Sequence, residues 1–558
     1  SPKLISFINY QDNKKLKMDE DSIMQDTRGK SNIEETENLV EKRKDKLIYF
    51  LKNKQLWVIG VLIIAVILGV YIRSMPMQDH NPGAPGNQPG LWDITTNDWT
   101  LGPDLDPWLF TRQAKTIVDT GSMPAIDSMR FVPLGFNNAG ETRLLPYMIV
   151  WTYYLVNLFG DYSINFAAAI FPVIMFALTI ISFFLFVREI FIRKINDKKE
   201  NNKNKLKANL ISLIATFFMI VIPVFLSRTL AGIPEKESAG FFFMFLTFYL
   251  FLKAWKSEKI RYSMIFGSLA GISTALIGLI WGGVVYVFVA IGVAALLAFI
   301  LNKVSKKEAI SYGIWLGLSV LLLSFFSNRY SLSGFLTSTS NLISVFVLFV
   351  IIIHIILWKT KLSKYFESYS KKIPKNIISI IVAILLGTVL VSIIFGISFI
   401  PNKFSGLIET FIKPVTGRWN ITVAENRQPY FTEWAASFGP FLKNIPILFW
   451  LFFICSVILF KEMLKPLLKK DTWILTCLYI LFFFGLVFSR YAPHPSILDG
   501  EGFISRLFYF GSAFLLIGTL IYYYISYYKQ GLKKFEEIDY EYLFFFSIFI
   551  LTLFTARS

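Results

Sequence analysis

The sequence predicts an all-α polytopic membrane protein with about 13 transmembrane helices and two large loops on the outer side. Three observations lead there. The 558 residues are 54% hydrophobic and 17% aromatic, with a mean hydropathy of +0.53, too apolar for a soluble chain of this length. Apolar runs of about 17 to 25 residues recur, each able to cross hydrocarbon as a helix. The net charge of +18 is gathered in connections that alternate along the chain, as the positive-inside rule requires. That placement argues against reading the basic excess as a nucleic-acid signal. Only Cys455, Cys477 and three histidines occur, so a disulfide framework or thiolate metal site is not expected. No H-E-x-x-H and no nucleotide-binding glycine loop is present.

Residues 1–54 are polar, end in EKRKDKLIYFLKNK, and read as a charged cytoplasmic tail, disordered in part. The remaining 55–558 read as one transmembrane unit. The first span, Trp57 to Ile72, then carries the chain outside. A long outer segment, 74–164, holds PGAPGNQPG and TLGPDLDPWLFTRQAK and ends in an apolar run, Leu144 to Gly160. Residues 188–209 carry eight Lys or Arg and belong inside. Counting from the first span, 144–160 therefore lies in the interface or re-enters, and 165–187 is span two. Spans follow near 210–227, 239–255, 263–281, 283–301, 309–326, 340–358, 377–399, 445–461, 473–489, 503–527 and 541–555. Outer loops fall at 228–238 and 400–444. Every strongly basic connection falls inside.

The acids on the outer side carry the chemistry. Asp104 and Asp106 sit two apart, and Pro107 biases Asp106 away from the α region, so the pair is expected to be extended or in a turn; extended residues two apart point the same way. Glu235 and Glu237 lie in AGIPEKES on the 228–238 loop, and Glu425 lies in WNITVAENRQP within 400–444. Each is readable alone as a solvated loop charge. Together, at one membrane face and on loops far apart in sequence, they suggest one convergent site. Paired carboxylates repel unless a hard cation with a preference for oxygen relieves them. Arg228 and Arg506 lie near the same face, and arginine suits phosphate oxygens. Arg506 is equally readable as a snorkelling side chain.

These motifs resemble the catalytic subunit of oligosaccharyltransferase, in its archaeal type. DLDPWLFTRQAK is similar to that family's first D-x-D loop. SRTLAGIPEKES resembles its second acidic motif, TVAEN its T/S-x-x-E motif, and GFISRLFYF the arginine-bearing start of a late transmembrane helix. The resemblance covers about 57 to 555. It implies the GT-C glycosyltransferase fold, with Mg²⁺ or Mn²⁺ held by Asp106, Glu235 and Glu237. Asp106 and Glu425 would act on the acceptor amide, and Arg228 and Arg506, with Asp104 nearby, would bind the donor. The implied reaction moves a glycan from a polyprenyl (dolichyl) phosphate or diphosphate carrier to asparagine in N-x-S/T. The partners would be a lipid-linked oligosaccharide and an acceptor polypeptide. The implied setting is the plasma membrane if the source is archaeal, with the site facing outward.

The family's large outer C-terminal domain carries a W-W-D motif. No W-W-D occurs here, and the chain stops where that domain would begin, so the membrane portion alone is expected. Two rivals remain at this stage. A protein O-mannosyltransferase of the same fold shares an acidic first loop, but TVAEN and the pair at 235 and 237 argue against it. A transporter or flippase would place charges at the midplane and show internal repeats, and neither pattern is evident.

Overall fold

In a computed structural model, residues 54–78, 90–193, 197–338, 341–412 and 428–557 are described. The chain divides into two units, Ser1–Ile64 and Ala65–Ser558. Of the first, only the opening of helix α1 (Lys54–Ser74) is described, and the expected tail lies outside the described residues. Everything below concerns the second unit.

Short helices and strands precede the main bundle. A two-residue hairpin pairs Trp92–Asp93 with Asp98–Trp99, and a second pairs Ile126–Asp127 with Phe136–Asn137. Between them runs α2 (Leu105–Thr120), which ends at Gly121 with a positive φ of 82°. Helix α3 (Leu144–Val156) has 13 residues. That is about 20 Å of helix, short of the roughly 30 Å of bilayer hydrocarbon. It packs between α2 and α4 (Ile164–Phe191), in keeping with a segment that does not cross.

The bundle continues with α5 (Lys198–Val221), the short α6 (Pro223–Ser227), α7 (Lys236–Lys256), α8 (Ile260–Ile280), α9 (Val284–Ile300) and α10 (Lys306–Phe326). Next come α11 (Leu332–Thr337), α12 (Leu342–Lys359), α13 (Ser363–Ser370), α14 (Lys375–Phe395) and α15 (Phe399–Ile412). The chain closes with α16 (Phe431–Ser437), α17 (Ile447–Met463), α18 (Lys469–Phe488), α19 (Phe503–Lys529) and α20 (Tyr540–Arg557). Among the described residues, ten helices are long and apolar enough to cross a membrane, and α3, α9 and α20 are shorter apolar helices.

Two elements depart from the sequence reading. The basic stretch expected as a loop is largely helical, because Asp197 caps α5 by accepting from Glu200 N at 2.7 Å. The predicted span at 210–227 is broken at Ile222, since Pro223 opens a new helix and its missing N–H cannot continue the old one.

The bundle packs through small residues, as helices without a water-driven force between them must. A Cβ on Gly271 of α8 would stand 2.9 Å from the Trp315 carbonyl of α10. At that crossing Trp315 Nε1 donates to Thr274 Oγ1 at 3.0 Å and Ser319 Oγ donates to the Gly271 carbonyl at 3.2 Å. Two buried clusters result. The large one runs from α4 through α20 and includes Phe251, Trp315, Phe483 and Phe544. The small one joins α2, α3 and α4 to the ends of α7 and α8, around Phe110, Ile117, Leu145, Phe171 and Ile280. The candidate site stands on the small one.

Candidate active site

The site begins with a glycine. Gly232, in the AGIPEKES segment, has φ +84°, and a Cβ there would meet Leu91 Cδ1 at 2.8 Å and Gly102 N at 3.1 Å. Only glycine accepts both the left-handed backbone and the crowding. Gly102 N donates to the Gly232 carbonyl at 2.8 Å, and Gly232 N donates to the Ala169 carbonyl at 2.9 Å. This clasp joins the turn carrying Asp104 to the loop carrying Glu235.

Below the clasp lies Arg73 of α1, fully buried. Its carbonyl accepts from Ala231 N at 2.9 Å, and its Nε donates to Thr229 Oγ1 at 3.1 Å. Its Nη1 donates to the Ile220 carbonyl, on the helix end that the break before Pro223 leaves short of partners. The guanidinium carbon stands 3.8 Å from the Phe176 ring centre. One side chain thus holds α5, the 228–238 loop and α4 together.

Above the clasp stand the charges. Glu235 is 5% exposed and accepts from Arg228 Nη1 at 2.8 Å. Burial pushes the Glu235 carboxyl above its ordinary range, and the nearby charges of Glu237 and Asp104 add to that, against the pull of Arg228. The same three carboxylates raise Arg228, with the hydrogen bond to Glu235 foremost. Glu235 caps α7, and Glu237 lies in its first turn, where the helix dipole favours negative charge. Lys236, between them, stands 5.2 Å over the Phe110 ring of α2, a second link between the two motifs.

The sequence expectations meet this geometry unevenly. Arg228, Glu235, Glu237 and Asp104 come together. Asp106 is not extended: it lies in the first turn of α2, with Asp104 as the capping residue. Pro107 is tolerated there because first-turn N–H groups have no partner within the helix. The charge of Asp104 acts on both Glu235 and Arg228. Among the described residues no three His, Cys, Asp or Glu side chains gather closely enough to hold a metal ion. Glu425 lies outside the described residues.

Arg506 is exposed in the first turn of α19. The arginine that engages the large loop is instead Arg490, just past α18. Its Nε donates to the Gln428 carbonyl at 3.2 Å, its Nη1 donates to Gln428 Oε1 at 3.1 Å, and its guanidinium lies 4.5 Å from the Tyr430 ring centre. A Cβ on Gly439, farther along that segment, would stand 3.9 Å from Pro223 Cδ, so the segment returns beside α6 and the Arg228 loop. Sequence reasoning passed over Arg73 and Arg490. Each is an arginine at the end of an apolar run, which is the signal that was applied to Arg506 alone.

Comparison with known proteins completes the picture. The family model described as oligosaccharyl transferase STT3, N-terminal, matches residues 201–424, which take in the second acidic motif and run to Ala424. A dolichyl-diphosphooligosaccharide–protein glycosyltransferase subunit STT3B of Arabidopsis thaliana is 24% identical over 48% of this chain and 35% of its own length. The stt-3 subunit of Caenorhabditis elegans is 26% identical over 39% of this chain and 27% of its own. The archaeal oligosaccharyltransferase AglB of Archaeoglobus fulgidus, solved with an inhibitory peptide and a dolichol-phosphate, superposes with a TM-score of 0.53 at 18% identity. That match covers 91% of this chain and 56% of that one. A structure of the Archaeoglobus enzyme tethered to an acceptor peptide containing the NVT sequon gives 0.52 at 18% identity, over 91% and 55%. The chain thus spans about a third of its curated relatives and a little over half of the solved ones. The expected GT-C architecture is borne out by the shared fold. The chain is thus similar to the N-terminal domain of STT3 over residues 201–424 and shares the fold of the archaeal oligosaccharyltransferase.

Proposed function

We propose that the chain is the membrane catalytic portion of an oligosaccharyltransferase, which moves a glycan from a polyprenyl phosphate or diphosphate to asparagine in N-x-S/T. The observation that carries this reading is the clasp of Gly102 on Gly232, which gathers Asp104, Glu235, Glu237 and Arg228 at one end of the bundle. The Archaeoglobus structures with dolichol-phosphate and with a sequon peptide support a lipid-linked donor and a peptide acceptor here too. The membrane side remains the outer one, the plasma membrane if the source is archaeal.

An amide nitrogen is a poor nucleophile because its lone pair is delocalised into the carbonyl. Glu425 and an aspartate of the D-x-D turn would accept its two N–H bonds and loosen that conjugation. The nitrogen bonds to the sugar's C1 as the bond from C1 to the phosphate oxygen breaks. A carboxylate takes the amide proton, and the lipid phosphate leaves with the electron pair. Arg228 and Arg506 are the proposed donors to that phosphate.

The oxygen-only donor set and the crowding of negative charge on buried Glu235 fit a hard divalent cation. Mg²⁺ or Mn²⁺ would be held by Glu235 and Glu237 with Asp106, or with Asp104, whose electrostatic reach to Glu235 supports it. When bound, the ion would offset the charge growing on the departing phosphate.

The test supplies the full-length protein with a lipid-linked glycan, Mn²⁺ and a peptide containing N-x-T. Glycopeptide from the N-x-T peptide, and none from its Q-x-T counterpart, is the expected outcome. Sugar on the Thr hydroxyl of the Q-x-T peptide would instead indicate an O-glycosylating enzyme. Movement of the lipid-linked glycan across the bilayer without transfer would indicate a transporter.

A further inference from the structure

A cavity of about 1020 Å³ lies within the bundle, and none of the candidate active-site residues lines it. Its wall is hydrocarbon from α9, α17, α18, α19 and α20, with Leu297, Phe482, Leu520 and Phe554 among the lining side chains. Along α19 it runs from Ala513 to Lys529, roughly 24 Å at about 1.5 Å per residue.

The cavity is polarised along its length. Lys372, just before α14, and Lys529, at the end of α19, both line it and both are exposed. Tyr528 donates its hydroxyl to the Ser370 carbonyl at 3.2 Å. That bond ties the two basic connections together and puts both lysines at the same mouth, at the end of the bundle that the sequence reads as inside. Two of the deeper hydroxyls are already used. Tyr524 donates to the Ile300 carbonyl at 3.0 Å, and Ser547 donates to the Leu543 carbonyl at 2.7 Å.

Protein interiors leave few voids larger than a water molecule. A space this large with an apolar wall offers water too few partners to hold it. In a bilayer the material that fills such a space is an acyl chain, and two ammonium groups at its mouth complement a phosphate. We propose that this cavity binds an anionic phospholipid from the leaflet at the basic end. Its chain lies along α19 and its headgroup sits between Lys372 and Lys529. The site is separate from the proposed donor site and does not depend on the transferase reading.

The test reconstitutes the full-length protein in nanodiscs of phosphatidylglycerol and phosphatidylcholine in equal parts, and counts retained lipid by native mass spectrometry. The wild type should retain phosphatidylglycerol over phosphatidylcholine by about tenfold, and the Lys372→Glu/Lys529→Glu variant should lose that preference. Leu520→Trp, which fills the cavity from its wall, should reduce retention of both lipids. The thermal midpoint of each variant shows whether it is folded, and the exposed lysine pair carries the decision if Leu520→Trp is not. Equal retention of both lipids by the wild type would overturn the proposal. So would unchanged phosphatidylglycerol retention in the double variant, or displacement of the lipid by an equimolar polyprenyl phosphate, which would make the cavity part of the donor site.

Discussion

The segment from Leu91 to Asp104 meets the 228–238 loop through main chain, whereas the segment from Gln428 to Ser437 meets the end of α18 mostly through side chains. On the first flank, Gly102, Ala231 and Gly232 all donate backbone N–H groups across elements. On the second, Phe431 N donates to the Arg490 carbonyl at 3.1 Å, the Arg490 guanidinium engages Gln428 and Tyr430, and the Phe431 ring packs against Phe488 and Tyr491 with ring centres 4.7 and 5.6 Å apart. Main-chain bonds survive most substitutions, so the first flank is vulnerable mainly where glycine is obligatory. The second depends on side chains, the Arg490 guanidinium and the Phe431 ring. The first flank therefore rests on main chain, and residues 428–437 rest on side-chain contacts that substitutions can weaken one by one.

The largest expected effect falls on the first flank. Glu235→Gln keeps shape but removes the buried charge opposite Arg228, and turnover of glycopeptide should fall by about a hundred- to a thousand-fold, roughly 2.7 to 4 kcal/mol of transition-state stabilisation. Near-normal turnover in Glu235→Gln would separate the ion pair from the chemistry. Next comes Glu425→Gln, with turnover lower by about ten- to a thousand-fold, roughly 1.4 to 4 kcal/mol, while donor binding barely changes. Wild-type turnover there would remove Glu425 from the site.

The flanks can be set directly against each other by two variants. Gly232→Ala forces a side chain into the left-handed region against Leu91 and Gly102 and should destabilise by about 1 to 3 kcal/mol, read as a lower thermal midpoint. Arg490→Met should leave the midpoint closer to the wild type but loosen residues 428–438, read as faster amide exchange confined to that segment. Equal losses of stability in both would erase the distinction between the flanks. Arg506→Met, compared in the same donor-binding assay as Arg490→Met, tells which arginine serves the donor.

The smallest effect is acidic. The Arg112 guanidinium pairs with Asp127 and holds its carboxyl below the ordinary range, although burial opposes this. A depressed carboxyl contributes stability above its unfolded pKa of about 3.9, and that contribution is lost as pH falls through the lower folded value. Because Arg112 is partly exposed, the pair contributes only about 1 kcal/mol. Asp127→Asn should lower the midpoint slightly at neutral pH and flatten its decline below about pH 4. An unchanged acid limb would show that the pair contributes nothing.

Most of the long apolar helices and the short α3 were legible in the sequence, because bilayer thickness acts on runs of residues without regard to their neighbours in space. Glu235, Glu237 and Arg228 were legible too, as acids and a base on one short loop. Asp106 was misjudged because the preference of a residue before proline is local, and the first turn of a helix relaxes it. Arg73 and Arg490 were not legible. Their roles come from carbonyls and rings supplied by Ile220, Phe176, Gln428 and Tyr430, none of them close in sequence.

By itself, then, the sequence determined which segments form long apolar helices and which charged residues crowd the 228–238 loop. Only the tertiary structure decided which of those acids stand together. That Asp104 stands near Glu235 rests on the contact of Gly102 with Gly232, a main-chain bond 130 residues apart that no periodicity records. The cavity above Lys372 and Lys529 was likewise invisible in the sequence, because a void is defined by what several helices fail to fill together.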